Sequence, residues 1–317
     1  MQPGRQHPRP SSPAAPAGSG SHRAAPARRG LHVYATARQP ESLAGLAAAG
    51  ITTLRLDVTD EASMTAVADR ITAAHGGVAV LVNNAGFELA GPVEEVPPAE
   101  ARRQFEVNFF GLARLTQLVI PGMRERGAGT IINLSSVFGR FAIPGNAYYA
   151  ASKHAVAAFT DALRLELAGF GIRAVLIEST AARTSLHANI AWAENQGGES
   201  YAGFYADLAD WYARTYTGPP RNMAGRLAVS ADDVAAAIAR AATARHPRAR
   251  YQVGTLARAL FALRRWLPAP AFDAFVRTQF PNPARPGAAA TAERQQLLTS
   301  AAGTQPSRNP GDIPRGR

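Results

Sequence analysis

From Leu31 onward, short runs of β-branched and aliphatic residues alternate with longer stretches in which apolar residues recur every three or four positions. The short runs, Leu31–Thr36, Ile51–Leu56, Val78–Asn83, Thr130–Ser135 and Ile172–Ile177, have the length and apolar continuity of strands covered on both faces. The longer stretches, Pro40–Ala49, Asp60–His75, Ala99–Arg126 and Ala147–Gly169, carry helical spacing. Asp60 offers a capping carboxylate at one helix start, and Gly127 and Gly171 offer terminators. This alternation predicts βαβ units and an α/β fold, a single doubly wound parallel-sheet domain.

The pattern changes after Thr184. Residues 186–226 are irregular and rich in aromatics: Trp192, Tyr201, Phe204, Tyr205, Trp211, Tyr212 and Tyr216. Phe204, Leu208, Trp211 and Tyr212 share one helical face, which reads either as ordinary core or as an apolar lid over a substrate cleft. A helix over Ala231–Ala244, a strand over Tyr251–Gly254 and a basic amphipathic stretch over Leu256–Phe280 follow. The domain thus runs over 31–280, between a Pro/Ala/Arg-rich segment (1–30) and a tail (281–317) too poor in large apolar residues to predict order.

Composition narrows the classes. The chain has 317 residues, no cysteine and 46% hydrophobic residues, which excludes a disulfide-stapled module and supports a substantial core. Its apolar runs fall far short of the roughly 18 residues of a membrane span. No charged start with an apolar block and small-residue cleavage site opens the chain, so the expected location is cytoplasmic. The net charge of +11 suggests nucleic acid until its distribution is counted. Residues 1–30 hold five Arg and no acid, and residues 281–317 hold five Arg against Glu293 and Asp312, so the ends supply +8. The remaining +3 over 31–280 forms no dense basic stripe, and no nucleic-acid partner is expected. Of the 34 basic residues, 33 are Arg; the only lysine is Lys153.

That lysine stands in Tyr149-Ala-Ala-Ser-Lys153, at the start of a predicted long helix. A spacing of four puts both side chains on one helix face, where an ammonium favours an ionised phenol and a tyrosine can serve as general acid or base. Ser136 lies 13 residues before Tyr149, at the C-terminal end of a predicted strand, where open α/β sheets bind ligands. Asn83-Asn84-Ala85-Gly86 closes the preceding strand, and Asn108 sits inside the next helix, an unfavourable place for Asn that hints at a purpose.

Together these residues resemble the short-chain dehydrogenase/reductase family, whose signatures are a glycine-rich first turn, Asn-Asn-Ala-Gly, a catalytic Asn, a Ser and Tyr-x-x-x-Lys. Four of the five stand in order, over about Leu31 to Tyr251. The resemblance implies a Rossmann-like fold and interconversion of a carbonyl and an alcohol with a nicotinamide cofactor. Tyr149 would be the acid/base and Ser136 would orient the substrate oxygen. Lys153 would lower the Tyr149 pKa and bind the nicotinamide ribose, and Asn108 would hold a relay water. The cofactor set it implies is Arg38, Asp57, Val58, Asn83, Ala85, Gly86, Tyr149, Lys153 and Thr184, with no metal. Ala37 stands where an NAD enzyme of this family carries an acid and Arg38 follows, so NADP is favoured over NAD. A compact ammonium fits between a phenol and ribose hydroxyls where a guanidinium would not, which accounts for one Lys in an Arg-biased chain. The implied partners are a small apolar carbonyl or alcohol and further copies of the chain, a dimer or tetramer through the Ala99–Arg126 and Ala147–Gly169 helices.

Two departures stand out. Glu178-Ser179-Thr180 replaces the family's Pro-Gly after its sixth strand. More severely, residues 1–30 lack the first strand and the glycine-rich turn that would present a helix N-terminus to the pyrophosphate, and Pro8, Pro10 and Pro13 disfavour a central strand. A one-nucleotide shift upstream of Leu31 lets the degenerate codons of Pro13 to Gly20 spell Thr-Gly-Cys-Ser-Ser-Gly-Ile-Gly, a turn of the missing type. The alternative is a cofactor-deficient, non-catalytic homologue acting as a binding or subunit scaffold.

Overall fold

The computed structural model describes residues 31–183, 190–194, 200–217, 219, 221–226 and 228–283. Strand β1 (Tyr34–Ala37) leads through a short 3-10 turn to helix α1 (Ala44–Ala48) and pairs in parallel with β2 (Thr52–Arg55). Helix α2 (Glu61–His75) starts where the Asp60 carboxylate accepts from the Ala62 amide and stops at left-handed Gly76. Then come β3 (Val80–Asn83), β4 (Glu88–Ala90), α3 (Pro98–Phe105), a π-helical turn over Glu106–Phe110, and α4 (Gly111–Glu125). Strand β5 (Gly129–Ser136), helix α5 (Ala147–Leu167) and strand β6 (Ile172–Ser179) form the centre. The C-terminal part holds β7 (Ala182–Arg183), β8 (Ile190–Trp192), α6 (Ala202–Tyr216), α7 (Met223–Arg226), β9 (Val229–Ser230), α8 (Ala231–Thr243) and β10 (Arg250–Val253). Two helices, α9 (Thr255–Trp266) and α10 (Ala269–Gln279), replace the single stretch expected over Leu256–Phe280, because Pro268 opens a new helix.

Four parallel strands in the order β10-β6-β5-β3 make the main sheet. Successive side chains of β5 face opposite layers. Ile131 packs with α2, α4 and α5, through Met64, Leu115 and Leu163, whereas Ile132 packs with Val234 and Ile238 of α8. Helices on both faces explain the near-continuous burial of β5 and β6, and each fully buried Ile or Leu there contributes roughly 1.5–3 kcal/mol.

Among the described residues, β1 pairs only with β2 and β3 only with β5, so the facing edges share no hydrogen bond. Even so, Tyr34 and Leu54 pack into the same apolar cluster as Leu81 and Ile131. In the aromatic segment, Phe204, Leu208 and Tyr212 are buried against Ala90, Ile190 and Trp192, over the parallel pair β4–β8 that the hydrophobic pattern did not predict.

Candidate active site

The C-terminal ends of the parallel strands gather the chemistry-bearing residues. Helix α5 begins just beyond this edge and presents Tyr149 and Lys153 one turn apart, both buried, with the Lys153 Nζ 5.7 Å from the centre of the Tyr149 ring. The ammonium donates to the Leu134 carbonyl of β5 at 3.0 Å. Ser136, the last residue of β5, caps the short turn that follows, its hydroxyl accepting from the Phe138 amide at 3.3 Å. That turn presses onto α5 because Gly139 lacks a side chain: a Cβ there would lie 2.5 Å from Ser135 Oγ. Ser135 itself donates to the Lys153 carbonyl at 3.1 Å, tying β5 to the catalytic helix.

Asn108 lies in the π-helical turn, a distortion common at functional positions. Its side chain accepts from the Phe87 amide at 3.0 Å and donates to the Phe87 carbonyl at 2.9 Å and to Ser152 Oγ at 3.0 Å. One amide thus clamps the loop after β3 against α5. Gly86 completes the cluster, since a Cβ on it would sit 3.1 Å from Asn108 Oδ1 and 3.6 Å from Lys153 Nζ.

Burial dominates the electrostatics. It pushes the Lys153 ammonium down to about 8, with the charge of Glu88 opposing. The Tyr149 phenol goes up, first through burial and then through Glu88, while hydrogen bonding from Ser136 opposes. Burial and the Glu88 charge thus act against the ionised phenol that the Tyr-Lys spacing favours.

The remaining sequence-derived residues divide. Arg38 is exposed just past β1, and its charge reaches Asp57 after β2. Partial burial would raise the Asp57 carboxyl, but donation from the Thr59 amide (2.9 Å) and hydroxyl (2.7 Å), with Arg38 and Arg55, holds it below the usual range. Val58 lies where α4 approaches most closely, a Cβ on Gly111 falling 2.2 Å from its carbonyl oxygen. Ala85 is exposed beside Gly86. The Asn83 side chain is spent on the scaffold, donating to Asn133 Oδ1 (2.8 Å) and Thr116 Oγ1 (3.1 Å), with Asn133 donating in turn to Thr160 (2.9 Å). Thr184 lies outside the described residues. Glu178, at the departure from the family pattern, is fully buried and held by Arg140 (2.8 Å) and Arg250 (2.9 Å), so β6 ends in an ionic tie in place of a Pro-Gly bend.

Sequence reasoning missed Glu88 and Asn146. Glu88 is 3% exposed, its charge acts on Tyr149 and Lys153, and it accepts from the Tyr212 hydroxyl at 2.5 Å; burial raises its carboxyl. A lone acid between Phe87 and Leu89-Ala90 was the signal in the sequence. Among the described residues no cluster of three His, Asp or Glu side chains is placed to hold a metal, and no helix is long and apolar enough to cross a membrane.

A family profile described as short chain dehydrogenase matches residues 22–195, more than half of the chain. The chain belongs to the short-chain dehydrogenase/reductase family. A probable short-chain type dehydrogenase/reductase of Helicobacter pylori, VdlC, is 31% identical over 245 residues, covering 77% of this chain and 87% of that protein. An oxidoreductase of Bacillus subtilis, YusZ, is 42% identical over 162 residues, 49% of this chain and 58% of that protein. A solved short-chain dehydrogenase from Streptomyces avermitilis superposes with a TM-score of 0.65 at 30% identity, covering 90% of this chain and 94% of that one. As a member of the short-chain dehydrogenase/reductase family, the chain is an NAD(P)-dependent oxidoreductase with a parallel-sheet α/β fold.

Proposed function

We propose that this oxidoreductase interconverts a carbonyl and an alcohol on a largely apolar substrate, with NADP preferred over NAD. The observation that carries the reading is the buried convergence of Tyr149, Lys153 and Ser136 at the end of β5. A protonated phenol is the form needed to give a proton to a developing alkoxide, and Ser136 is placed to orient that oxygen. In the alcohol-to-carbonyl direction the same tyrosine takes the proton back. Lys153 and Asn108 position the phenol and the loop around it. The nicotinamide, when bound, exchanges the hydride. The space left by Gly86 beside Lys153 and Asn108, and the Thr180 hydroxyl buried without a partner beyond β6, fit the nicotinamide and its ribose. Arg38, exposed past β1, fits a 2′-phosphate. Helix α6 serves as the cleft's apolar cover, and the exposed Phe110 and Leu165 support homo-oligomerisation through the helices that carry Asn108 and Tyr149. The assignment is tested by fluorescence titration with NADPH and NADH, then by turnover of a panel of ketones and secondary alcohols. Saturable NADPH binding with turnover of one class is expected; no turnover of any member of the panel with NADPH bound sinks it.

A second reading for this sequence as written is a scaffold that keeps the catalytic groups and fails to bind cofactor, because residues 1–30 lack a glycine-rich turn of the family's type. Absence of NADPH binding at millimolar concentration selects it. The sequence of residues 1–30 supports a frame shift upstream of Leu31. Sequencing the first hundred or so bases of the gene decides that point, and an intact frame through Leu31 removes it.

A further inference from the structure

The last two helices carry charge that neither the proton-transfer groups nor the cofactor residues use. Over residues 31–254 the 20 Arg and Lys are balanced by 20 Asp and Glu. The whole +3 of residues 31–280 therefore comes from Arg258, Arg264, Arg265 and Arg277 against Asp273, all on α9 and α10. Among the described residues none of these four arginines forms an ion pair, whereas Arg114, Arg140, Arg164, Arg214 and Arg250 each do. Helix α9 is one-sided. Its inward positions, Leu256, Ala257, Leu260 and Leu263, pack with Phe272 and Val276 of α10 onto Val137, Phe141 and Ile143. Its outward positions, Arg258, Ala259, Ala262, Arg265 and Trp266, are all exposed and fall within about a third of the helix circumference. Trp266 is 78% exposed, more than any other large hydrophobic side chain among the described residues, and the Arg265 guanidinium lies 5.8 Å from its ring centre. A single exposed indole is ordinary on a protein surface; one flanked by unpaired guanidinium groups has the make-up of an interfacial anchor.

Charge decides what can cover this face. Residues 1–30 hold five Arg and no acid, and residues 281–317 hold five Arg against two acids, so neither end of the chain complements it. A second copy seated face to face would bring like charge. The occupant is anionic. A nucleic acid takes its phosphate contacts from cations together with neutral polar donors, but the exposed neighbours here are Ala259, Ala262, Pro268, Ala269 and Pro270. An anionic bilayer suits that mixture, because guanidinium groups meet lipid phosphates while the indole and small apolar residues enter the headgroup layer. The face also lies near the proposed reacting groups. Helices α9 and α10 pack on segment 137–143, which begins one residue after Ser136, and Phe138 of that segment meets the Tyr149 ring with 6.3 Å between centres.

We propose that α9 and the start of α10 form a docking surface for an anionic phospholipid bilayer, with Trp266 as the inserted anchor and Arg258 and Arg265 on lipid phosphates. This surface does not depend on the chain turning over a carbonyl, and its test reads lipid binding alone.

The test is co-sedimentation of the full chain with vesicles of phosphatidylcholine alone or carrying about one-third phosphatidylserine. Binding is expected to the mixed vesicles at about 0.1 M salt and should be lost at about 1 M, where the Debye length falls to about 3 Å. Arg258→Gln combined with Arg265→Gln should weaken partitioning about 25-fold, about fivefold for each cation removed from the surface. A control pair in the C-terminal segment, Arg308→Gln with Arg315→Gln, should leave it nearly unchanged. Tryptophan emission should shift to the blue on adding mixed vesicles. Trp266→Phe should remove that shift with the circular dichroism spectrum unchanged, since Trp192 and Trp211 are already partly buried. No binding to the mixed vesicles, equal binding to phosphatidylcholine alone, or a blue shift that persists in Trp266→Phe overturns the surface. Binding that survives the Arg258 and Arg265 substitutions, or falls as far in the control pair, overturns it too. Duplex DNA bound more tightly than the vesicles, and released by the same two substitutions, would assign the face to nucleic acid and overturn the lipid reading.

Discussion

The two parts of the parallel sheet differ in how their strands are held. Strands β5 and β6 are paired on both sides, layered by helices on both faces and carry Ser136 and Glu178 near their ends. Strands β1 and β2 pair only with each other among the described residues, and their own small cluster is Ala35, Leu43, Leu46 and Ile51. The groups proposed for proton transfer belong to the first part. Two residues proposed for the adenosine end of the cofactor, Arg38 and Asp57, belong to the second. The groups proposed for proton transfer and those proposed for the cofactor thus stand on different strands, so a change at Arg38 is expected to weaken the grip on the cofactor without moving Tyr149.

Tyr149→Phe probes the better-held part at its most sensitive point. It should lower turnover by about 10² to 10⁴ with the circular dichroism spectrum unchanged, because only the transferred proton is lost. Full turnover in that variant would remove the mechanism. Next in size is the contrast between two buried leucines. Leu176→Ala, in the middle of β6, should cost about 2–5 kcal/mol in denaturant unfolding, whereas Leu43→Ala beside β1 should cost less than about half of that. Hydrogen exchange should then find Ala35 and Leu54 opening at lower free energy than Ile131. Equal costs would mean that the two parts unfold as one cooperative unit.

A smaller effect concerns pH. Lys153 titrates near 8 when folded and at 10.5 in an unfolded chain, so the folded state binds fewer protons between those values and stability rises with pH there. The gain should be about 2 kcal/mol from pH 8 to 9.5, before tyrosine ionisation in the unfolded chain intervenes. Lys153→Met should lack this rise in thermal melts across the same range. The smallest effect is at the less well-held part: Arg38→Ala should weaken NADPH binding about tenfold, the low end for an exposed charge-assisted contact, and leave NADH binding nearly unchanged. Equal losses for both cofactors would place Arg38 elsewhere than on the 2′-phosphate.

Much of the layout was legible because it depends on local pattern. Buried strands need apolar continuity, so β5 and β6 were visible, and the Asp60 cap and the left-handed Gly127 and Gly171 lie within one turn of the helices they bound. Tyr149, Lys153 and Ser136 could be singled out from their spacing together with the family resemblance. Strands β4 and β8 were not visible, because three-residue strands carry too little pattern and pair across about a hundred residues. Nor was the break inside the Ala99–Arg126 helix, where the π-helical turn aims Asn108 at Phe87.

The amino-acid sequence by itself determined the α/β class and the parallel sheet and singled out the candidate proton-transfer groups, since periodicity, caps and spacing are properties of neighbouring residues. Only the tertiary structure set the electrostatic surroundings. Burial disfavours the charged forms of Tyr149 and Lys153, and Glu88 from a distant strand adds to the effect on the phenol, because desolvation is set by what surrounds a group in space. The meeting of Glu88, Asn146 and Tyr212 was likewise decided there, joining residues separated by up to 124 positions that no local pattern connects.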